Sequence, residues 1–249
     1  MDEGSRYFEG TSGVHLALRK ILARLDALDV PYVVVGGMAL FQHGVRRFTE
    51  AVDILVTAAG LYTLHEALDG RGYLPPFERS RHLRDVELGV KIEFLVTGQY
   101  PGDGTPKAIA FPHPDDVGVV LDGIRVLDVR TLVELKLASG ASAPDRLKDF
   151  ADVVELVRVL NLPRGLSAEL HPDVRAKYDE LWLSLRAGLR RYVKSCPTSG
   201  PELAAMRADG IVVEAHEGIA EGFAYAVTAD RALAEKYDMH DEREVMVDE

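Results

Sequence analysis

The chain has 249 residues, of which 47% are hydrophobic and 28% charged, a composition typical of a soluble globular protein with one large domain or two modest ones. No apolar stretch approaches the roughly 18 to 20 residues that a membrane span requires, and the acidic N-terminus MDEGSRYFEG does not resemble a secretory signal. The single cysteine, Cys196, excludes an internal disulfide and a thiolate metal cluster. These features predict a cytoplasmic protein with no membrane partner.

The net charge of −11 is distributed unevenly along the chain. Residues 1–163 carry a balance of −5, residues 164–200 carry +3 and residues 201–249 carry −9. A globally acidic protein is a poor non-specific binder of nucleic acid. A basic surface for RNA is therefore restricted to 164–200, where an ordinary solvated helix surface explains the charge equally well.

Helices and strands alternate through the first hundred residues. Residues 13–30 form an amphipathic pattern with Leu16, Ile21, Leu22, Leu25 and Leu28 on one side, which predicts a helix. The β-branched run YVVVGG at 32–37 predicts a short buried strand closed by two glycines. A short helix at 38–45, a strand at 46–57, a helix at 60–73 and a strand at 90–97 follow.

The second half of the chain is richer in helical patterns. Short strand candidates at 108–112 and 123–129 precede helices at 131–140 and 145–161, for which Thr131 and Asp145 are candidate N-caps. The stretch NLPRGLS at 161–167 suggests a boundary, after which a long helix at 172–196 and mostly helical sequence at 202–237 are expected. The prediction is an α/β (α+β) domain over 10–163, with a mixed sheet flanked by helices. A mainly helical region with an acidic tail is predicted over 164–249.

The strand at 46–57 carries polar groups at alternate positions. Because successive strand side chains face opposite ways, Arg47, Thr49, Ala51 and Asp53 share one face. Glu93 occupies similar apolar surroundings in the strand at 90–97. Two carboxylates beside a glycine turn suggest a site for a divalent metal and phosphate, although a tight turn and incidental strand acids are the simpler alternative.

Taken together, the motifs resemble those of the nucleotidyltransferase superfamily, and most closely its minimal enzymes and AbiEii-type toxin relatives. That pattern runs Gly-Gly, a short helix, His-Gly, Arg-x-Thr and then Asp-x-Asp. Here it corresponds to GGMAL at 36–40, HG at 43–44, RFT at 47–49 and the pair of positions 51 and 53. LKL at 135–137 and RLKDFAD at 146–152 resemble the helical segment behind that core, so the resemblance covers about residues 30–160.

The resemblance implies an ATP-like nucleoside triphosphate as donor and transfer of its nucleoside monophosphate to an acceptor hydroxyl, with Mg²⁺ or Mn²⁺ as cofactor. It makes Asp53 and Glu93 the catalytic metal ligands, with Glu93 also deprotonating the acceptor. The acceptor classes are an RNA end, a protein side chain and a small molecule, and a cognate antitoxin and a second copy of the chain are candidate partners. The nucleotide-binding residues implied are Gly36, Gly37, Arg47, Thr49 and Lys136.

For several of these residues the sequence leaves a structural alternative open. The alternative for Arg47 is an ion pair with Glu50 or Glu93 instead of a phosphate contact. The alternative for Lys136 is an ion pair with Asp149 or Asp152. His43 is expected to pack or hydrogen-bond near the turn. A further prediction places the basic side chains of the 164–249 region on a wall of the acceptor cleft; these are Arg186, Arg190, Arg191 and Lys194.

Position 51 departs from the family pattern, because Ala51 stands where the first aspartate of the motif belongs. Glu50 is a poor substitute, since a neighbouring residue faces the opposite side of the sheet unless a bulge intervenes. One explanation is an enzyme inactivated by an aspartate-to-alanine substitution. The alternatives are a catalytically dead module that binds nucleotide or a partner protein, and an interaction protein whose acids are incidental.

Overall fold

A computed structural model describes residues 3–78, 80–188, 192–214 and 222–241. The chain forms two compact units, Met1–Trp182 and Leu183–Glu249. The division therefore lies after residue 182 and not after residue 163 as predicted. The reason is that the segment after NLPRG packs back on the first unit, where Tyr178 Oη donates to the Pro163 carbonyl and Trp182 Nε1 to the Leu162 carbonyl, each at 3.0 Å.

The first unit is a seven-stranded mixed sheet with helices around it, which confirms the predicted α/β class. The sheet order is β3-β4-β5-β2-β1-β7-β6. Its strands are β1 (Tyr32–Val35), β2 (Ala51–Val56), β3 (Tyr73–Leu74), β4 (Leu83–Asp85), β5 (Lys91–Val96), β6 (Gly118–Leu121) and β7 (Ile124–Leu127). The helices that begin in this unit are α1 (Glu3–Phe8), α2 (Gly13–Ala27), α3 (Gly36–Gln42), α4 (Ala58–Leu68), α5 (Val129–Gly140), α6 (Leu147–Val159) and α7 (Pro172–Gly188).

The centre of this sheet is apolar because β1 lies between two other strands. It runs antiparallel to β2 and parallel to β7, and its Val33 and Val34 are fully buried. Helix α2 buries Leu18, Ile21 and Leu25 completely. Leu16, which was predicted on the same side, is 47% exposed, because the buried stripe continues through Leu18 and leaves position 16 on the solvent side.

The second unit contains a four-stranded sheet, so the prediction of a mainly helical region is corrected for its later part. Helix α7 ends at Gly188, and a strand begins at Tyr192 where the helix was predicted to continue. In chain order the described part reads β8 (Tyr192–Pro197), α8 (Pro201–Ala208), β9 (Val212–Glu214), β10 (Phe223–Thr228), α9 (Arg231–Lys236) and β11 (His240–Asp241). The sheet order β11-β8-β10-β9 with antiparallel pairs is the βαββαβ arrangement of ferredoxin-like units.

Packing within this unit explains the strand. Cys196, Ala226, Leu203 and Met206 meet in one buried cluster, which a helix continuing through residue 196 would not place opposite β10. Of the basic side chains predicted to line the cleft, Lys194 donates to Glu202 at 2.8 Å and to the Tyr237 carbonyl at 2.8 Å. Arg190 and Arg191 lie outside the described residues, and so does the side chain of Arg186. Within the described ranges, every helix is too short or too polar to cross a membrane.

Candidate active site

The two predicted carboxylates lie side by side on neighbouring strands. Strands β2 and β5 run parallel with Asp53 opposite Glu93, so their backbones are about 4.8 Å apart and their side chains share one sheet face. Both residues line one cavity of about 800 Å³, together with Gly36 and Gly37. The structure therefore brings the predicted acids and the predicted glycine turn into one place.

Glycine is required at this turn because the chain passes directly over the carboxylate. Gly36 has φ +60°, and a Cβ there would lie 2.0 Å from Asp53 Oδ2. A Cβ on Gly37 would lie 2.8 Å from the Cβ of Thr49. The glycine pair thus keeps side chains away from Asp53 and Thr49, a role more specific than that of a tight turn.

Asp53 lies in an environment that disfavours its charge. Burial is the main cause and the nearby Glu93 carboxylate the next, and together they raise the pKa of Asp53 to about 6, against the opposing effects of Lys136, the Gly37 amide and Arg47. A crowded pair of carboxylates with this shift favours a cation between them. Mg²⁺ is commonly held by one or two carboxylates together with substrate phosphates, so the residues present fit such an ion.

The pKa shift predicts a pH-dependent gain of stability when the charge is removed. A carboxyl group whose pKa is raised on folding stabilises the fold below its unfolded pKa, and that contribution is lost as the pH rises through the folded value. We therefore expect Asp53→Asn to raise the free energy of unfolding at pH 8 by about 1–3 kcal/mol, with solvent screening favouring the lower end. The advantage should fall between pH 6 and pH 4 and vanish below pH 4.

Urea unfolding of the two proteins at pH 4, 6 and 8, without metal, measures this effect. Glu50→Gln is the matched control, because Glu50 is exposed and does not line the cavity. A gain from Asp53→Asn that is the same at all three pH values would contradict the explanation.

Position 51, where alanine replaces the aspartate of the motif, lies beside a basic residue of β5. Ala51 pairs with Lys91 in the register of β2 and β5, and the Lys91 ammonium forms an ion pair with Glu93. In the part of the chain that the structure describes, no group of three or more His, Cys, Asp and Glu side chains is placed to hold a metal. Glu50 is exposed and outside the cavity lining, so it does not replace the missing carboxylate.

Lys136 belongs to a largely buried ion-pair network in the cavity wall. Its Nζ lies 2.6 Å from Asp149 Oδ1 and 2.7 Å from Asp152 Oδ2, and the side chain of each aspartate is no more than 6% exposed. Ser139 Oγ donates to Asp149 Oδ2 at 2.7 Å. Burial alone would raise the pKa of Asp149, but the Lys136 ammonium and the Ser139 hydroxyl hold it below its ordinary value.

Arg47 joins the same network, since it donates to Asp152. Its observed partner is thus neither Glu50 nor Glu93, the two that the sequence suggested. Arg47 and Lys136 nevertheless both line the cavity, where their positive charges are held in fixed positions by buried carboxylates. The network therefore holds two cations in the wall of the cavity that Asp53 also lines.

Two further predicted residues have mainly structural contacts. The His43 ring is buried, and its Nε2 donates to the Leu127 carbonyl at 2.7 Å, which ties the end of α3 to the end of β7. Thr49 Oγ1 donates to the Ala51 carbonyl at 3.2 Å and lines the cavity.

Sequence reasoning missed two parts of the cavity. One is the pair Arg81 and His82 before β4, where His82 Nδ1 accepts a hydrogen bond from the Phe94 amide at 3.1 Å and burial lowers the pKa of the imidazole. The other is the loop at 98–104, of which every residue lines the cavity. The loop's glycine and proline content indicated only a connection, and nothing in the sequence around residues 81–82 marks a site.

The cavity is more basic than the chain as a whole. Its lining includes five basic and four acidic side chains, although the chain carries a net charge of −11. The basic ones are Arg47, Arg81, Lys136, Arg146 and Lys148, and the acidic ones are Asp53, Glu93, Asp103 and Asp149. The lining therefore repels an anionic ligand less than the rest of this acidic chain does.

No family model and no curated protein matches the chain. Solved structures do show similarity. One is ANT(2″)-Ia in complex with adenylyl-2″-tobramycin, with 14% identity, a TM-score of 0.43, and coverage of 69% of this chain and 96% of that one. A protein of Thermotoga maritima assigned as a nucleotidyltransferase has 21% identity and a TM-score of 0.37, covering 58% of this chain and 91% of its own.

A third similar structure, from H. pylori and likewise assigned as a nucleotidyltransferase, has 17% identity and a TM-score of 0.37 over 69% of this chain and 80% of its own. The last two carry the name of the superfamily that the motifs resemble. Because every identity is below 25% and every TM-score below 0.5, these similar structures assign no role to any residue of this chain.

Proposed function

We propose that the first unit carries a nucleotidyl-transfer site, which takes a nucleoside triphosphate with Mg²⁺ or Mn²⁺ and directs the nucleoside monophosphate to an acceptor hydroxyl. The observation that carries the proposal is the pairing of Asp53 with Glu93 under the glycine turn at 36–37, inside a cavity with a basic lining. Carboxylates that hold a divalent ion and cations that meet phosphate are the two requirements of phosphoryl transfer chemistry.

Each side chain has a distinct part in this proposal. Asp53 and Glu93 hold the metal together with phosphate oxygens, and the metal supplies neutralisation of phosphate charge. Arg47 and Lys136, fixed by Asp152 and Asp149, present positive charge to the phosphates. Glu93 also accepts the proton of the acceptor hydroxyl.

Ala51 bears on whether this chain catalyses nucleotide transfer or only binds nucleotide. The third carboxylate of the motif is missing and Glu50 is exposed outside the cavity lining, so we propose that this chain is an inactivated form that retains nucleotide binding. A second candidate function follows from the same observation: a catalytically dead module that binds nucleotide or a partner protein. The acceptor remains one of three classes, namely an RNA end, a protein side chain and a small molecule, with an antitoxin or a second copy of the chain as further partners.

Calorimetric titration with each of the four ribonucleoside triphosphates, with and without Mg²⁺, tests the proposal. We expect at least one triphosphate to bind, with an affinity that Mg²⁺ increases about tenfold or more. Asp53→Asn should remove the Mg²⁺ effect, whereas Glu50→Gln, on the exposed side, should preserve it. A folded protein that binds no triphosphate in either condition would exclude both the transferase and the nucleotide-binding module.

A further inference from the structure

The loop at 98–104, which follows β5 directly, covers one side of the cavity. Its sequence is Gly-Gln-Tyr-Pro-Gly-Asp-Gly, and every one of these residues lines the cavity. Tyr100 is half-buried, and Pro101 beside it is buried. Tyr100 therefore lines the same cavity as Asp53 and Glu93.

The loop is held at both of its ends, so Tyr100 has a defined position. The Gln99 amide donates to the Val96 carbonyl at 3.0 Å, and the Phe111 amide donates to the Gln99 carbonyl at 2.7 Å. At the other end, Arg146 Nη2 donates to the Gly102 carbonyl at 3.2 Å. Gly102 is packed so closely that a Cβ there would lie 1.9 Å from Ser142 Oγ.

The cavity also has an apolar part beside its charged floor. The side chain of Gln99 pairs with Arg81, so both polar groups are engaged in holding the loop. The lining residues with apolar side chains outside the loop come from β1, β2, β5, β7, α5 and the segment before β6. They are Val35, Ala51, Leu95, Phe111, Leu127, Leu132 and Leu135. A ligand with a flat apolar group attached to a charged group would place the first against the apolar residues and the second against the charged residues of the cavity.

We propose that Tyr100 stacks on the nucleobase of the bound nucleotide, with the apolar residues on the far side of the base. This inference rests on the proposed nucleotide site and adds to it the residue that distinguishes a nucleotide from a bare polyphosphate. A cavity of about 800 Å³ is large enough for a nucleoside triphosphate. Tyr100 is only half-buried, so part of its side chain remains accessible to a ligand in the cavity.

The test compares two probes, ATP and inorganic tripolyphosphate, each titrated with Mg²⁺ into the full chain. Because one base–aromatic stack changes affinity by about tenfold to hundredfold, Tyr100→Leu should weaken ATP binding by that factor. Tripolyphosphate binding should change less than about twofold, since it has no base. Tyr100→Phe keeps the ring and should leave both affinities unchanged, as should Tyr62→Leu on the exposed side of α4.

A second variant guards against misfolding of the leucine protein. Tyr100→Trp keeps the stack, and its indole fluorescence should be quenched by ATP and not by tripolyphosphate, with the background from Trp182 measured in the unchanged protein. Equal loss of both probes in Tyr100→Leu, no loss of either, or no ATP quenching in Tyr100→Trp would overturn the inference while leaving the triphosphate site in place. If the unchanged protein binds neither ATP nor tripolyphosphate, the proposed function is overturned and this inference with it.

Discussion

Lys136→Met is expected to lower the free energy of unfolding by about 3–5 kcal/mol at pH 7. The Lys136 ammonium contacts two buried carboxylates, at 2.6 Å and 2.7 Å, and its own side chain is only 13% exposed. Removing one partner of a buried ion pair leaves an uncompensated charge in a medium of low polarity, which is the costly way to break such a pair. Asp152 keeps Arg47 as a partner, so the main loss falls on Asp149.

Urea unfolding monitored by circular dichroism measures this loss. Lys148→Met is the matched control, because Lys148 lies on the next helix, lines the same cavity and is exposed, so its replacement should change stability by less than about 0.5 kcal/mol. Adding Asp149→Asn to Lys136→Met should recover part of the loss, since the unpaired charge is then gone. A loss below 1 kcal/mol in Lys136→Met would show that the network does not hold α5 and α6 together.

The part of the site that the sequence predicts is the part carried by local periodicity. Asp53 and Glu93 each lie in an apolar strand, and a two-residue repeat fixes the face on which they point. The glycine pair at 36–37 also indicates a place where the backbone can come close to another group. These features depend on residues a few positions apart, which is why they were predictable without a structure.

The rest of the site depends on contacts between distant segments. Arg47 and Asp152 are 105 residues apart, and two glutamates nearer in sequence were the suggested partners of Arg47. The cap of α5 was missed for a smaller reason: Asp128 accepts from the Thr131 amide at 2.9 Å, so the helix begins before the threonine that was predicted to cap it. In the case of Arg47, several carboxylates compete for one donor, and packing selects among them.

The strand β8 was missed because its sequence satisfies two patterns. Leu181, Leu185, Leu189 and Tyr192 have helical spacing, which predicted one helix through residue 196. Residues 192–197 pair instead along their whole length with β10, a partner that local periodicity does not reveal. Pairing with β10 thus outweighed the helical pattern at the C-terminal end of the predicted helix.

Ala51→Asp is expected to raise the rate of nucleotide transfer by about a thousandfold or more. The new carboxylate would share the sheet face of Asp53 and Glu93 and supply the third acidic ligand that the superfamily pattern implies. A lost metal position forfeits several kcal/mol of transition-state charge stabilisation, and its return should restore that amount. Without metal, stability should stay about the same or fall slightly, because clustered carboxylates repel one another.

Ala51→Asn is the matched control for this gain. It has nearly the same shape as the aspartate variant and lacks the charge, so it should remain as inactive as the unchanged chain. Ala51→Asp combined with Asp53→Asn should also be inactive, since it again leaves two carboxylates of three.

Transfer of label from each α-³²P nucleoside triphosphate, with Mg²⁺, to a cell lysate compares the unchanged chain with Ala51→Asp and Ala51→Asn. We expect a labelled acceptor for Ala51→Asp with at least one triphosphate, at a rate about a thousandfold or more above the other two proteins. Equal rates in all three proteins would mean that position 51 holds no metal ligand, and that the face shared by Ala51, Asp53 and Glu93 is not the transferase site proposed here.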